Sequence, residues 1–180
     1  DRELQKRSLK HHRVGHGWTC SVLGQNTLGW VPSDTILTKE QENMTALMDG
    51  KRGFFQGIPI NTNLCYSNPD VIASFAEKVT AYAMLHPEVD YLHVWLADAS
   101  NNHCECDTCK KHLPSDLYVH ILNEIDRALT QKQLDTKIVF LIYEELLWAP
   151  IEEKLLHPHR FVMMFAPISR TFLQSYEIPE

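Results

Sequence analysis

Nearly unbroken apolar runs alternating with amphipathic stretches constrain this chain more than any other feature. Tyr91-Leu92-His93-Val94-Trp95-Leu96-Ala97, Ile138 to Tyr143 and Arg160 to Ala166 hold too few polar residues for half-solvated strands. Runs of that kind are expected where both faces of a sheet are covered. Between them lie segments of helical period. Asn68 is placed as an N-cap, with Pro69 behind it and Asp70 in the first turn. Ile72, Phe75, Ala76, Val79 and Ala83 then recur at three and four residues until His86-Pro87. Pro114-Ser115 opens a second helix whose apolar face is Leu117, Ile121, Leu122, Ile125 and Leu129. Strands alternating with helices in this way predict βαβ units and a parallel sheet.

Three further segments read less regularly. Lys39 to Met48 has a short helical pattern that stops at Asp49-Gly50, and Gly57 to Cys65 reads as extended, with Pro59 suited to an edge. Ile151 to Leu156 reads as a short helical piece before the last strand. No repeat, low-complexity tract or linker interrupts the chain, so a single α/β domain is expected over residues 1–180. An eight-stranded barrel takes about 250 residues, or about 31 per βα unit. At 180 residues with four or five strands, the chain is expected to be part of a (β/α) TIM-type barrel or a smaller open α/β domain. It begins at Asp1 without a methionine, as a piece of a longer protein would, which leaves the compartment open.

Charge narrows the partners. Seventeen basic against twenty-three acidic residues give a net charge of −6, and the basic pairs are short ones such as Lys51-Arg52 and Lys110-Lys111. A nucleic-acid footprint is therefore not expected. The longest wholly apolar run, Ile138 to Tyr143, is far shorter than the ~20 residues of a membrane helix, so membrane insertion is not expected either.

Parallel α/β folds place their sites at the carboxyl ends of strands. The residues in that position here are acidic: Asp98 follows one apolar run, and Glu144 and Glu145 follow another. Two carboxyls flanking a bond are what glycoside hydrolysis requires, one protonating the leaving oxygen and one serving as base or nucleophile. Strand-end acids that merely cap following helices are the alternative. Trp18, Tyr66, Tyr143 and Trp148 are expected near the same rim, where aromatic rings stack on sugar faces, while Trp95 is expected inside. His16 lies in a glycine-flanked turn, Val14-Gly15-His16-Gly17-Trp18, able to present an imidazole to a ligand.

Five cysteines stand at 20, 65, 104, 106 and 109, and Cys104-x-Cys106-x2-Cys109 supplies three soft ligands within six residues. A structural zinc site needs a fourth, for which Cys65, Cys20, His103 and His112 are candidates; a local disulfide or free thiols are the other readings.

Taken together, Asp49-Gly50-Lys51-Arg52, Leu64-Cys65-Tyr66-Ser67-Asn68-Pro69-Asp70-Val71, His86-Pro87-Glu88-Val89-Asp90 and Asp98 with Cys104-Glu105-Cys106-x2-Cys109 resemble the bacterial domain of unknown function 4838 family, over roughly Arg13 to Arg170. That family is similar to glycoside hydrolases with TIM-barrel catalytic domains, especially the α-glucuronidase and hexosaminidase groups. The resemblance implies that Asp98 occupies the place of a barrel glycosidase's acid. It also implies that His16 lies on the ligand side of an earlier strand and that Cys65 travels with the Cys104 loop. Ala97-Asp98 stands where the commoner family form has Asn-Asp, and Glu144-Glu145 replace a less acidic pair in many relatives.

The leading expectation is a glycoside hydrolase, or a catalytic fragment of one, with Asp98 as general acid, Glu145 as base or nucleophile and Glu144 in reserve. No cofactor is required for that chemistry. Arg170 facing the cleft would favour a uronic acid, because a guanidinium holds a carboxylate bidentately. The alternatives are a non-catalytic carbohydrate-binding or structural module, and a zinc-dependent hydrolase. A partial barrel would also leave a sheet edge to be covered, by self-association or by the N-terminal segment Asp1 to His12.

Overall fold

The computed structural model describes residues 2–25, 29–168, 171 and 173. A short helix α1 (Arg2–Lys6) leads into strand β1 (His12–Gly15), followed by α2 (Trp18–Val22) and α3 (Lys39–Met44). A two-stranded hairpin, β2 (Leu47–Met48) and β3 (Lys51–Arg52), precedes the long helix α4 (Pro69–Leu85) and strand β4 (Tyr91–Val94). Helix α5 (Pro114–Gln131) then leads to β5 (Lys137–Ile142) and β6 (Phe161–Phe165). The sheet is four-stranded, wholly parallel and ordered β1-β4-β5-β6.

Alternation along the strands divides its two faces. Leu92 and Val94 of β4, Ile138 and Phe140 of β5 and Phe161 of β6 join Val71, Phe75 and Val79 of α4 and Ile121, Leu122, Ile125 and Leu129 of α5 in one core. Fully burying an aliphatic side chain of this size contributes roughly 1.5–3 kcal/mol, so this layer dominates the fold's stability. Tyr118 of α5 ties the core to two strands, donating its hydroxyl to the Val94 carbonyl and accepting the Leu141 N–H at 3.3 Å. On the opposite face His12 stacks on Tyr91 with ring centroids 4.6 Å apart, and its Nδ1 lies 2.9 Å from His93 Nε2. Burial, then the neighbouring His12, holds the His93 imidazole below its ordinary pKa.

Both long helices start where the sequence places them. The Asn68 side chain accepts the Asp70 N–H at 2.9 Å, and Pro69 and Pro114 occupy first-turn positions that need no N–H partner. The less regular segments depart from expectation. Helix α3 ends at Met44, where Thr45 turns extended and bridges Leu64, and Asp49 and Gly50, with φ of 49° and 74°, form the tight turn of the β2–β3 hairpin rather than a helix stop. Gly57 to Cys65 is not a strand: Pro59 opens a 3-10 turn over Pro59–Asn61, and only Thr45 and Leu64 form a β-bridge. Ile151 to Leu156 is not helical either. Buried Asp116 of α5 draws the chain in, its Oδ1 accepting the N–H groups of Ile151, Glu152 and Glu153 at 2.9, 2.7 and 2.9 Å.

The last strand of the sheet is sparsely covered: Val162, Met163, Met164 and Phe165 are exposed. An apolar groove of about 420 Å³ runs along it, lined by Tyr118, Phe140, Ile142, Leu146, Met163 and Phe165 among others. No helix among the described residues is long and apolar enough to cross a membrane.

Candidate functional site

Asp98 follows the carboxyl end of β4, and its side chain keeps about a quarter of its surface exposed. Three groups from separate segments meet it. Tyr143, just beyond β5, donates its hydroxyl to Oδ1 at 2.9 Å; Trp30 donates its indole N–H to Oδ2 at 2.6 Å; His16, just beyond β1, brings Nε2 to 3.7 Å from Oδ1. Burial alone would raise the Asp98 pKa. The hydrogen bonds from the Ala99 backbone, Trp30 and Tyr143, with the His16 ring, outweigh it and leave the carboxyl below its ordinary value of 3.8. Asp98 is therefore ionised at neutral pH. Tyr143 moves the other way, pushed up by burial and then by the Asp98 charge, so it remains a donor.

His16 is oriented by its other nitrogen. Nδ1 lies 2.7 Å from the Leu96 carbonyl, which only accepts, so Nδ1 carries a proton and Nε2 faces Asp98. A neutral ring would point a lone pair at a carboxylate.

A buried amide network fixes the backbone behind Asp98. Asn102 donates to the Asp98 carbonyl at 2.6 Å and to the Asn61 carbonyl at 2.7 Å, and it accepts from Asn63 at 2.7 Å. Asn63 Oδ1 in turn accepts the Ala97 N–H at 3.2 Å and the Tyr66 hydroxyl at 2.7 Å. Glu145 approaches the same loop, accepting the Asn101 N–H and lying 3.8 Å from His103 Nε2. Burial lowers the His103 pKa. Glu144 sits in the left-handed region with φ of 48°.

The expected rim residues divide. His16 and Tyr143 meet at Asp98, and Trp148 is 73% exposed beyond β5. Trp18 and Tyr66 are core instead. The Trp18 indole donates to the His93 carbonyl at 2.8 Å and its ring packs edge-on against Tyr82, while Tyr66 is sealed beneath the amide network. Trp95 is half-buried, edge-on to His16 and His93, with a buried indole nitrogen that has no partner. Arg170 lies outside the described residues, and Arg13 donates to His11. Sequence reasoning missed Trp30, whose only signal was an aromatic residue in a Gly-Trp-Val-Pro loop, and Asn63 and Asn102, which carry no spacing signature.

Beside this site, Cys65, Cys104, Cys106 and Cys109 bring their sulfur atoms within 4.8 Å of one another, and none of the chain's cysteines is in a disulfide. Cys65 Sγ lies 3.7 Å from Cys106 Sγ and 3.9 Å from Cys109 Sγ. Hydrogen bonds from the Cys104 and Cys109 thiols draw Cys65 strongly toward thiolate, and those with Cys104 and Cys65 push Cys109 to keep its proton. Cys20, His103 and His112 are not part of the cluster; His112 Nδ1 instead meets Glu152 at 2.6 Å. No curated protein and no solved structure gives a significant match to the chain. Residues 5–178 match the model of the family described as Domain of unknown function (DUF4838), and with nearly its whole length covered the chain belongs to that family.

Proposed function

We propose that this chain supplies the strand-end half of a glycoside-hydrolase site within a (β/α) barrel. The observation that carries the reading is Asp98, an ionised, partly exposed carboxylate at a strand's carboxyl end, framed by two aromatic hydrogen-bond donors and an oriented histidine. The barrel reading is supported by winding. The parallel strands lie in the sheet in chain order, with α4 and α5 packed side by side against one face, so no reversal of strand order occurs as in doubly wound sheets. The apolar groove along β6 is where a helix following that strand, or a second copy, would pack.

Trp30 and Tyr143 offer a sugar an aromatic wall beside Asp98. A carboxylate stabilised in its charged form suits a base or nucleophile better than an acid, so Asp98 takes that role in place of the general acid expected from sequence. Glu145 is then the group that protonates the leaving oxygen, with Glu144 in reserve. A carboxyl separation near 5–5.5 Å would give retention, and about 6.5–9.5 Å inversion. Asp98→Asn and Glu145→Gln, made in the complete parent protein and assayed on a panel of glycans that includes uronic acids, should each reduce turnover by about a hundredfold or more. Unchanged turnover in either removes that residue's role.

One observation favours a second reading, a carbohydrate-binding module without catalysis. Glu145 is already engaged by the Asn101 N–H, which would leave Asp98 without a second working carboxyl. Under that reading the parent protein binds glycans, loses binding in Trp30→Ala, and turns none over.

A further inference from the structure

We propose that Cys65, Cys104, Cys106 and Cys109 bind one zinc ion as a closed tetrathiolate centre that holds the Asp98 loop in place. The metal centre stands without the glycan reading; its coupling to the loop deepens that reading.

Geometry supports the ion first. Zinc takes four ligands tetrahedrally at about 2.3 Å from sulfur, which sets neighbouring sulfurs about 3.8 Å apart. Two of the six separations, from Cys65 to Cys106 and to Cys109, are 3.7 and 3.9 Å, and all lie inside 4.8 Å. A disulfide would need about 2.05 Å and would use only two of the four. The surroundings are those of a thiolate cage. The Leu47 N–H donates to Cys104 Sγ at 3.2 Å and the Cys109 N–H to Cys106 Sγ at 3.4 Å, while the Arg52 guanidinium lies 3.9 Å from Cys65 Sγ. These groups answer the negative charge that four thiolates leave on the centre after Zn²⁺ displaces the thiol protons to solvent. Four sulfurs fill the coordination shell, so no position is open for water and the centre is structural, which disfavours a zinc-dependent hydrolase.

Sequence spacing then ties the ion to the site. Cys65 stands two residues after Asn63, and Cys104 two residues after Asn102. The same two segments are therefore joined twice, once by the Asn63–Asn102 hydrogen bond at 2.7 Å and once by the sulfurs. Asn102 holds the Asp98 carbonyl, and Asn101 holds Glu145. The hairpin is clamped over the centre by the Glu105 N–H to the Leu47 carbonyl at 2.8 Å and the Asp49 N–H to Glu105 Oε2 at 2.9 Å. The ion would add to these ties, to the contact of Cys109 Sγ with Ser67 Oγ at 3.1 Å and to the packing of Cys104 and Cys109 with Ala46.

The test uses the complete chain purified without chelator. Elemental analysis should find one zinc per chain, and replacement by Co²⁺ should give the visible bands of a tetrahedral tetrathiolate. Cys106→Ser, at the most accessible of the four positions, should weaken zinc binding by about tenfold or more, whereas Cys20→Ser should leave it unchanged. Chelation should speed amide exchange in residues 99–112 and the hairpin while the centre of α5 stays protected. Sub-stoichiometric metal, iron in place of zinc, an octahedral cobalt spectrum or a disulfide among the four would overturn the centre. Unchanged exchange in residues 99–112 after complete metal removal would overturn its positioning role, even if glycan turnover is confirmed.

Discussion

The two ends of the sheet hold their carboxylates in opposite ways. At the amino ends, Asp126 of α5 is completely buried and meets cationic or protonatable partners: Arg160 Nε binds one oxygen, and His157 Nδ1 lies 2.6 Å from the other. Arg160 is itself spent on the Leu134 and Thr136 carbonyls at 2.8 and 3.1 Å, so the group closes the turns before β5 and β6. At the carboxyl ends, Asp98 is held mainly by neutral donors and keeps contact with solvent. A carboxylate neutralised by a guanidinium and sealed from water stabilises structure, whereas one left charged among neutral donors retains its capacity to act on a ligand.

The sharpest contrast between the ends is in stability. Asp126→Ala strands the Arg160 charge in a nearly closed site and should cost about 3–5 kcal/mol, read from the denaturant midpoint. Asp98→Asn should cost about 1 kcal/mol or less in the same experiment, since water replaces the lost contacts. Comparable losses at the two positions would erase the distinction.

A smaller effect is expected from Tyr143→Phe. It removes one donor from Asp98, should destabilise by about 1 kcal/mol, and should raise the Asp98 pKa as followed by NMR titration. An unmoved pKa would show that Trp30 and the Ala99 backbone suffice.

The pH dependence has a definite sign. The folded Asp98 pKa lies below the ordinary 3.8, so the unfolded chain binds more protons there. Its contribution is fully present above that value and is lost as pH falls through the folded pKa. Asp98→Asn should therefore lower stability near neutrality by the carboxylate's contribution and flatten the acid limb of a stability–pH curve, with the two proteins converging at low pH. A slope unchanged at acid pH would place the carboxylate in solvent.

The helices and central strands were legible because their signals are local. Asn68-Pro69 and Pro114 mark helix starts by backbone chemistry, and the apolar runs from Tyr91 and Ile138 mark buried strands. Strand β1 was not legible as a pattern: His-Arg-Val-Gly has no alternation, and its partner in the sheet is β4, about eighty residues on. Asp98 could be named from strand-end position, His16 from its glycine-flanked turn and Tyr143 as an aromatic beside a strand end. Trp18 and Tyr66 were misplaced because an aromatic residue's composition says nothing about which way the backbone turns it. Asp49-Gly50 misled because the same dipeptide ends helices and turns hairpins, and only the partner strand Lys51–Arg52 decides between them.

The smallest effect concerns association through β6. Its exposed Met163 and Phe165 should drive weak self-association, seen as a concentration-dependent mass in light scattering, and Met163→Lys with Phe165→Lys should abolish it. A wild-type chain that stays monomeric at high concentration would remove this expectation, and a truncation of residues 1–12 that begins to associate would assign to the N-terminal segment the covering of the opposite edge, at β1.

The most direct measurement is a crystal structure of the protein soaked with an oligosaccharide drawn from the turnover panel. A sugar ring seated against Trp30 and Tyr143, with a hydroxyl or its anomeric carbon in reach of the Asp98 carboxylate and of His16 Nε2, is the expected result. A sugar bound only at Trp148, or away from the carboxyl ends of the strands with Asp98 still closed by its present partners, would contradict a functional site at Asp98.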